Sequence, residues 1–207
     1  SRERADILPE HNEGMRVVPQ ILANRADVFL NIAGEAAAYG YPSVNLNLGC
    51  PSGTVAARGR GAGFLKFPEE LERFLDEIFD KCPLRISVKT RIGAENVEEW
   101  ERLLELFGRY PMEELIIHPR LLQEGYGGRV HPEAFEAAAG RMKVPLCYNG
   151  DLISLETVGP DGGEAEYGTM GWLTSRLPEA DAVMVGRGIL RRPGFLTGDF
   201  SLVTLRA

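Results

Sequence analysis

The chain has 207 residues, 44% of them hydrophobic, and a formal net charge of -7, enough length to bury a sizeable core in one domain. Three scattered cysteines, Cys50, Cys82 and Cys147, exclude a disulfide framework and a metal site by spacing and suit a reducing compartment. No apolar run approaches the roughly 18 residues of a bilayer span and no signal-peptide pattern opens the sequence, so a cytoplasmic location is expected.

In chain order, Ser1 to Met15 is polar without sustained periodicity and reads as a loop or a short frayed helix. Arg16 to Leu22 is a short strand carrying Gln20, and Ala26 to Tyr39 a helix with Val28, Phe29, Ile32 and Ala36 on one face. Val44 to Leu48 alternates as a strand and stops at Gly49-Cys50-Pro51, which places a cysteine at its tip with Asn47 three residues earlier. A lone cysteine is often only a small buried hydrophobe. Here Ser52 to Gly63 follows, glycine-rich and basic, and is expected to be a mobile loop, not a packed element.

Pro68 to Lys81 is an amphipathic helix with Leu71, Phe74, Leu75, Ile78 and Phe79 at helical spacing and an acidic outer face. Leu84 to Thr90 is a strand delivering Lys89 and Arg91 to its end, and Val97 to Arg109 a helix with Val97, Trp100, Leu103, Leu104 and Phe107 inward. Glu114 to His118 is a strand ending in His118. Pro119 to Val130 is a glycine-containing loop, and Pro132 to Met142 a helix of small residues. Val144 to Tyr148 ends at Asn149-Gly150-Asp151. A turn over Gly159 to Gly163 and a helix over Thr169 to Arg176 lead to the last strand, Ala182 to Val185, closed by Gly186-Arg187-Gly188 and a short helix.

Strand and helix alternate six times, each strand ending in a polar or glycine-containing tip, which is the pattern of an α/β parallel (β/α)8 TIM barrel with about six of its eight units present. Barrel enzymes build their sites from such tips. An acidic total argues against a nucleic acid partner, yet Arg58, Arg60, Arg91, Arg120, Arg129, Arg187, Arg191 and Arg192 gather near loops, leaving room for one basic face.

Asn45, Asn47, Gly49, Cys50, Pro51 and Ser52, followed by Gly61, Ala62 and Leu65, resemble the tRNA-dihydrouridine synthases, whose signature reads N-x-N-x-G-C-P-S and then a G-x-G-A stretch. The resemblance implies an FMN-binding barrel over residues 1–196, with 197–207 opening towards a helical tRNA-binding domain and two further strands before Ser1. It implies NADPH as reductant and tRNA as partner; the hydropathy and the cysteine spacing add the expectation of no membrane and no metal. It maps Cys50 onto the proton donor and Asn47 onto a uracil-positioning residue. Gln20, Lys89, His118, Asn149, Asp151, Gly186 and Arg187 map onto FMN contacts, with Lys89 beside the ring's carbonyl edge and the Gly186 to Gly188 amides and Arg187 at the phosphate. Arg91, Arg120 and Tyr126 fall to the substrate side, the arginines as contacts to RNA phosphate.

The family stretch H-x-R-T-R-x-Q-x-Y stands here as His118 to Tyr126 with Leu122 and Glu124 at two of its polar positions. Two other readings stay open: an FMN barrel reducing a small pyrimidine or enoate, and a non-catalytic RNA-binding remnant.

Overall fold

A computed structural model describes residues 5–155 and 167–191. The turn expected over 159–163, Arg192 and the tail over 197–207 lie outside the described residues.

Six strands pair in parallel and in chain order: β1 (Gln20–Ile21), β2 (Ser43–Leu48), β3 (Arg85–Arg91), β4 (Leu115–His118), β5 (Leu146–Asn149) and β6 (Ala182–Met184). Helices run between and after them: α1 (Ala26–Ala38), α2 (Gly53–Ala56), α3 (Pro68–Lys81), α4 (Glu99–Phe107), α5 (Pro132–Ala139), α6 (Met170–Arg176) and α7 (Arg187–Arg191). Parallel neighbours require such crossovers, and the result is an incomplete (β/α)8 barrel.

The two faces of the sheet differ in kind. Val44, Leu46, Leu48, Ile86, Val88, Leu115, Ile117, Leu146 and Val183 pack with Phe29, Leu71, Leu75, Ile78, Leu103, Phe107 and Phe135 in one core. Each such side chain removed from water stabilises the fold by roughly 1.5–3 kcal/mol. Side chains alternate along a strand, so the intervening residues point the other way, into the barrel. There the register sets Gln20 beside Asn45 and Asn45 beside Ser87; one layer higher, Asn47, Lys89, Ile116 and Cys147 follow in a row, and Arg91 lies beside His118. Polar residues therefore accumulate inside, towards the strand tips.

Several expectations change. The strand expected over 16–22 shortens to Gln20–Ile21, preceded by Pro19, which has no N–H to give to a ladder. Ser52 to Gly63 is only partly the loop expected: Ser52 to Arg58 stays largely exposed around α2, but a 3-10 helix, Gly61–Lys66, follows, in which Gly61 through Leu65 are buried. Phe64 meets the edge of Phe74 on α3 at 5.3 Å between centroids, so this segment is bound to the core. Val97 is exposed, not inward. The Glu99 carboxylate accepts the N–H groups of Ala94, Glu95 and Asn96, which starts α4 after Val97; Trp100, Leu103, Leu104 and Phe107 are buried as expected.

Candidate active site

The strand tips open onto a cleft of roughly 520 Å³ lined by Gln20, Asn47, Cys50, Lys89, His118, Tyr126, Asn149, Asp151, Gly186 and Arg187. Another hollow, about 280 Å³ between Leu65, Lys66, Glu95 and Arg102, contains none of these groups.

Cys50 is half-buried and its main chain is held on three sides. Its N–H and that of Gly49 both donate to Asn47 Oδ1 at 3.0 Å, and its carbonyl accepts from Ala62 N at 3.1 Å. Beneath it Gly61 has φ +55°, and a Cβ there would lie 2.8 Å from the Cys50 oxygen and 2.9 Å from its Cβ. Only glycine fits at Gly61. Asn47 Nδ2 donates to Gln20 Oε1 at 2.7 Å, which ties the two amides together at the edge of the cleft.

Lys89 enters the cleft floor from β3. Burial, and then the nearby Arg91 charge, lowers its pKa to about 8, and no carboxylate among the described residues neutralises it. His118 is buried at the tip of β4. Burial, followed by Arg91, Lys89 and Arg120, pushes its pKa down to about 2, so the ring is neutral. Arg120 Nη1 lies 3.2 Å from His118 Nε2; a guanidinium can only donate, so Nε2 accepts and the ring proton sits on Nδ1.

Two arginines expected to meet RNA phosphate are not presented to solvent. Arg91 is 0% exposed, because it follows Lys89 by two residues on the inward face of β3. It donates from Nε to Gly49 O at 3.0 Å and from Nη1 to Leu121 O at 2.7 Å, and burial lowers its pKa to about 10. Arg120 is 4% exposed. Its Nε donates to Gly128 O at 2.9 Å and its Nη2 to Asp151 at 2.6 Å. Both guanidinium groups thus clamp the main chain around the cleft.

Asp151 joins Arg120 to Arg187, whose Nη2 lies 2.5 Å from the other carboxylate oxygen. Burial raises the Asp151 pKa, but the two arginines outweigh it and hold the carboxyl below its ordinary value. Arg187 also covers the exposed ring of Tyr126 at 4.9 Å, with Arg91 at 5.5 Å from the same centroid. Asn149 Nδ2 donates to Met184 O at 3.0 Å, fixing the tip of β6. Above Gly186 no atom lies within 4 Å of where a Cβ would stand, whereas at Gly188 a Cβ would meet Leu152 O at 2.3 Å. Gly188 thus serves packing, and Gly186 leaves backbone open to the cleft. Gly150, Met184 and Val185 also line the cleft; they sit beside the tip residues Asn149 and Gly186 in sequence, which is the signal that pointed to this region.

The family model for dihydrouridine synthase (Dus) matches residues 1–204. The chain belongs to the dihydrouridine synthase family. A tRNA-dihydrouridine(16) synthase of Aquipseudomonas alcaligenes is 30% identical, covering 87% of this chain and 53% of that relative. The Shigella flexneri tRNA-dihydrouridine(16) synthase is 29% identical over 87% of this chain and 54% of its own length. A probable tRNA-dihydrouridine synthase 1 of Synechocystis is 28% identical over 74% and 45%. The chain thus spans about half the length of the curated relatives it matches. Among solved structures, dihydrodipicolinate synthase from Agrobacterium tumefaciens superposes with a TM-score of 0.52 at 17% identity, covering 91% of this chain and 61% of that one. Oxaloacetate acetylhydrolase does so with 0.57 at 14%, covering 99% and 69%. These two likenesses are of fold alone.

Within the dihydrouridine synthase loop His118 to Tyr126, the departing residues Leu122 and Glu124 have structural work. Glu124 accepts from Leu121 N at 2.6 Å and lies 2.8 Å from His131 Nε2, and Leu122 packs against the core. Together they brace the loop that presents Tyr126.

Proposed function

We propose that this chain carries the catalytic barrel of a tRNA-dihydrouridine synthase, which reduces the C5–C6 bond of uridine in tRNA with FMN as bound cofactor and NADPH as reductant. The observation that carries the reading is the convergence of Cys50, Asn47, Lys89, His118 and Arg187 on one cleft at the strand tips. The donor set fits FMN. An unneutralised amine at Lys89 and N–H groups on Gln20 and Asn47 suit a ring edge of carbonyl oxygens and ring nitrogens. Arg187, with the open backbone at Gly186, suits a phosphate.

When bound, FMN supplies the hydride that C6 of the uridine receives. Cys50 gives the proton to C5, and its rigid main chain holds the thiol over the cleft, leaving little reorganisation for the transfer itself. Lys89, costly to bury, regains stability beside negative charge. His118 stays neutral and offers a hydrogen bond instead of a proton. Asp151 aims Arg187. The exposed Tyr126 ring, under the Arg187 guanidinium, forms with it a cationic aromatic edge that RNA can meet once the target base leaves its own stack. A cytoplasmic setting belongs to the same proposal and accords with three free cysteines; no helix among the described residues is long and apolar enough to cross a membrane.

The test is titration of the purified chain with FMN, followed by incubation with unmodified tRNA and NADPH and mass mapping of the RNA. A flavin absorption spectrum that stays with the protein and a gain of two mass units at a uridine are expected. A protein that retains no flavin, or one that reduces free uracil and leaves tRNA untouched, overturns the reading.

A further inference from the structure

Beneath the thiol runs an unbroken line of side-chain hydrogen bonds. Asn47 Oδ1 accepts the main-chain N–H groups of Gly49 and Cys50; Asn47 Nδ2 donates to Gln20 Oε1; Gln20 Nε2 donates to Asn45 Oδ1 at 2.8 Å; Asn45 Nδ2 donates to Ser87 Oγ at 2.9 Å; and Ser87 Oγ reaches Val44 O at 3.4 Å. Both ends are fixed. A main-chain N–H can only donate and a main-chain carbonyl can only accept, so every amide between them has one permitted orientation. Asn45 is the middle link, 5% exposed and absent from the cleft wall.

The consequence lies on the cleft side. Both lone pairs of Asn47 Oδ1 are taken by main-chain donors, so Asn47 has only an N–H to offer a ligand. Gln20 retains one N–H and one Oε1 lone pair, so the one-sided demand falls at Asn47. A ligand atom that meets Asn47 must therefore accept a hydrogen bond: a carbonyl oxygen fits, an amino group does not. We infer that Asn45 is a positioning residue: the main chain at Gly49 and Cys50 sets the direction of the line, and Asn45 holds Gln20, and through it the Asn47 N–H, in that orientation beside Cys50, so that Asn47 selects a carbonyl-bearing edge. The selectivity rests on the reading of the cleft as the uridine and flavin site; the polarity of the line does not.

The test reads both separately. In the 15N-labelled chain, the bonded side-chain protons of Gln20 and Asn47 exchange slowly with water, and Asn45→Leu speeds both by about tenfold or more. Asn45→Asp keeps an acceptor for Gln20 and leaves them slow. Ser87→Ala, a milder cut at the far end, gives an intermediate acceleration at Gln20 and serves if Asn45→Leu does not fold. Unchanged Asn47 exchange in Asn45→Leu, equal acceleration in Asn45→Asp, or no response to Ser87→Ala overturns the inference. With FMN, NADPH and tRNA, Asn45→Leu lowers kcat for uridine about tenfold while flavin reduction by NADPH stays within about twofold; equal loss in both half-reactions marks general damage and contradicts a positioning role. A parent chain that forms no dihydrouridine defeats the functional reading, and the exchange rates still decide the polarity of the line.

Discussion

The side chains that hold the wall of the cleft carrying Cys50 are mostly neutral, amides and a hydroxyl on main-chain atoms, with glycine beneath the cysteine and the buried Arg91 guanidinium reaching Gly49 O. The opposite wall, from the tips of β4, β5 and β6, is held by charge, with Asp151 between Arg120 and Arg187 and two guanidinium groups about the Tyr126 ring. Neutral hydrogen bonds are directional and little affected by salt or pH, which suits the place where a proton must be aimed at one carbon. Ion pairs are less directional and respond to other anions, which suits a place where a phosphate is to be taken up.

The contrast is broken most severely at Asp151. Its replacement by alanine leaves Arg120, nearly buried, without its carboxylate, and should cost about 3–5 kcal/mol in urea unfolding, the usual penalty for stranding one member of a buried pair. A loss below about 1 kcal/mol would show that water reaches Arg120 freely.

Lys89→Met works in the opposite direction. The lysine's pKa falls from its ordinary 10.5 to about 8 on folding, so at neutral pH the unfolded chain holds its proton more tightly than the fold does. Removing the amine should stabilise the protein by up to about 3 kcal/mol at pH 7 and weaken FMN binding at least about tenfold. Below pH 8 both states are protonated and the gain is constant; it shrinks as pH rises from 8 towards 10.5. A gain independent of pH over that interval would contradict the assignment. His118 gives a separate signature at acidic pH. Its pKa is depressed in the fold, so stability is full above the ordinary histidine value of about 6.5 and falls below it, by about 1.4 kcal/mol per pH unit from this residue. The difference between wild type and His118→Asn, followed by denaturation from pH 7 to pH 4, should show that slope.

Much of this was legible in the sequence because short strand runs, alternating in β2 and β3 and apolar up to their tips in β4, β5 and β6, take turns with helical stretches. Strand order follows from that succession, the acidic helix α3 from apolar residues at helical spacing, and the tip residues from where each strand run stops; the motif around Cys50 pointed to the family. Depth was harder to read. Arg91 looked like a surface cation, although it shares the parity of Lys89 and so must point inward with it. Arg120 lies just beyond a strand end, where no periodicity reports burial. The packing of Gly61 and Gly63 was missed because glycine suggests freedom, whereas here it allows close approach to Cys50 and Ala56. The line from Ser87 to Asn47 could not be read at all, because it depends on the register of three strands, which only tertiary pairing sets.

The most direct test is a single turnover of the FMN-loaded, NADPH-reduced protein with unmodified tRNA, comparing Cys50 with Cys50→Ala. If Cys50 is the group that protonates C5, the variant should bind flavin and accept electrons from NADPH as the parent does, yet form dihydrouridine at least about a hundredfold more slowly. Dihydrouridine appearing at the parent's rate in Cys50→Ala would contradict the account at its centre.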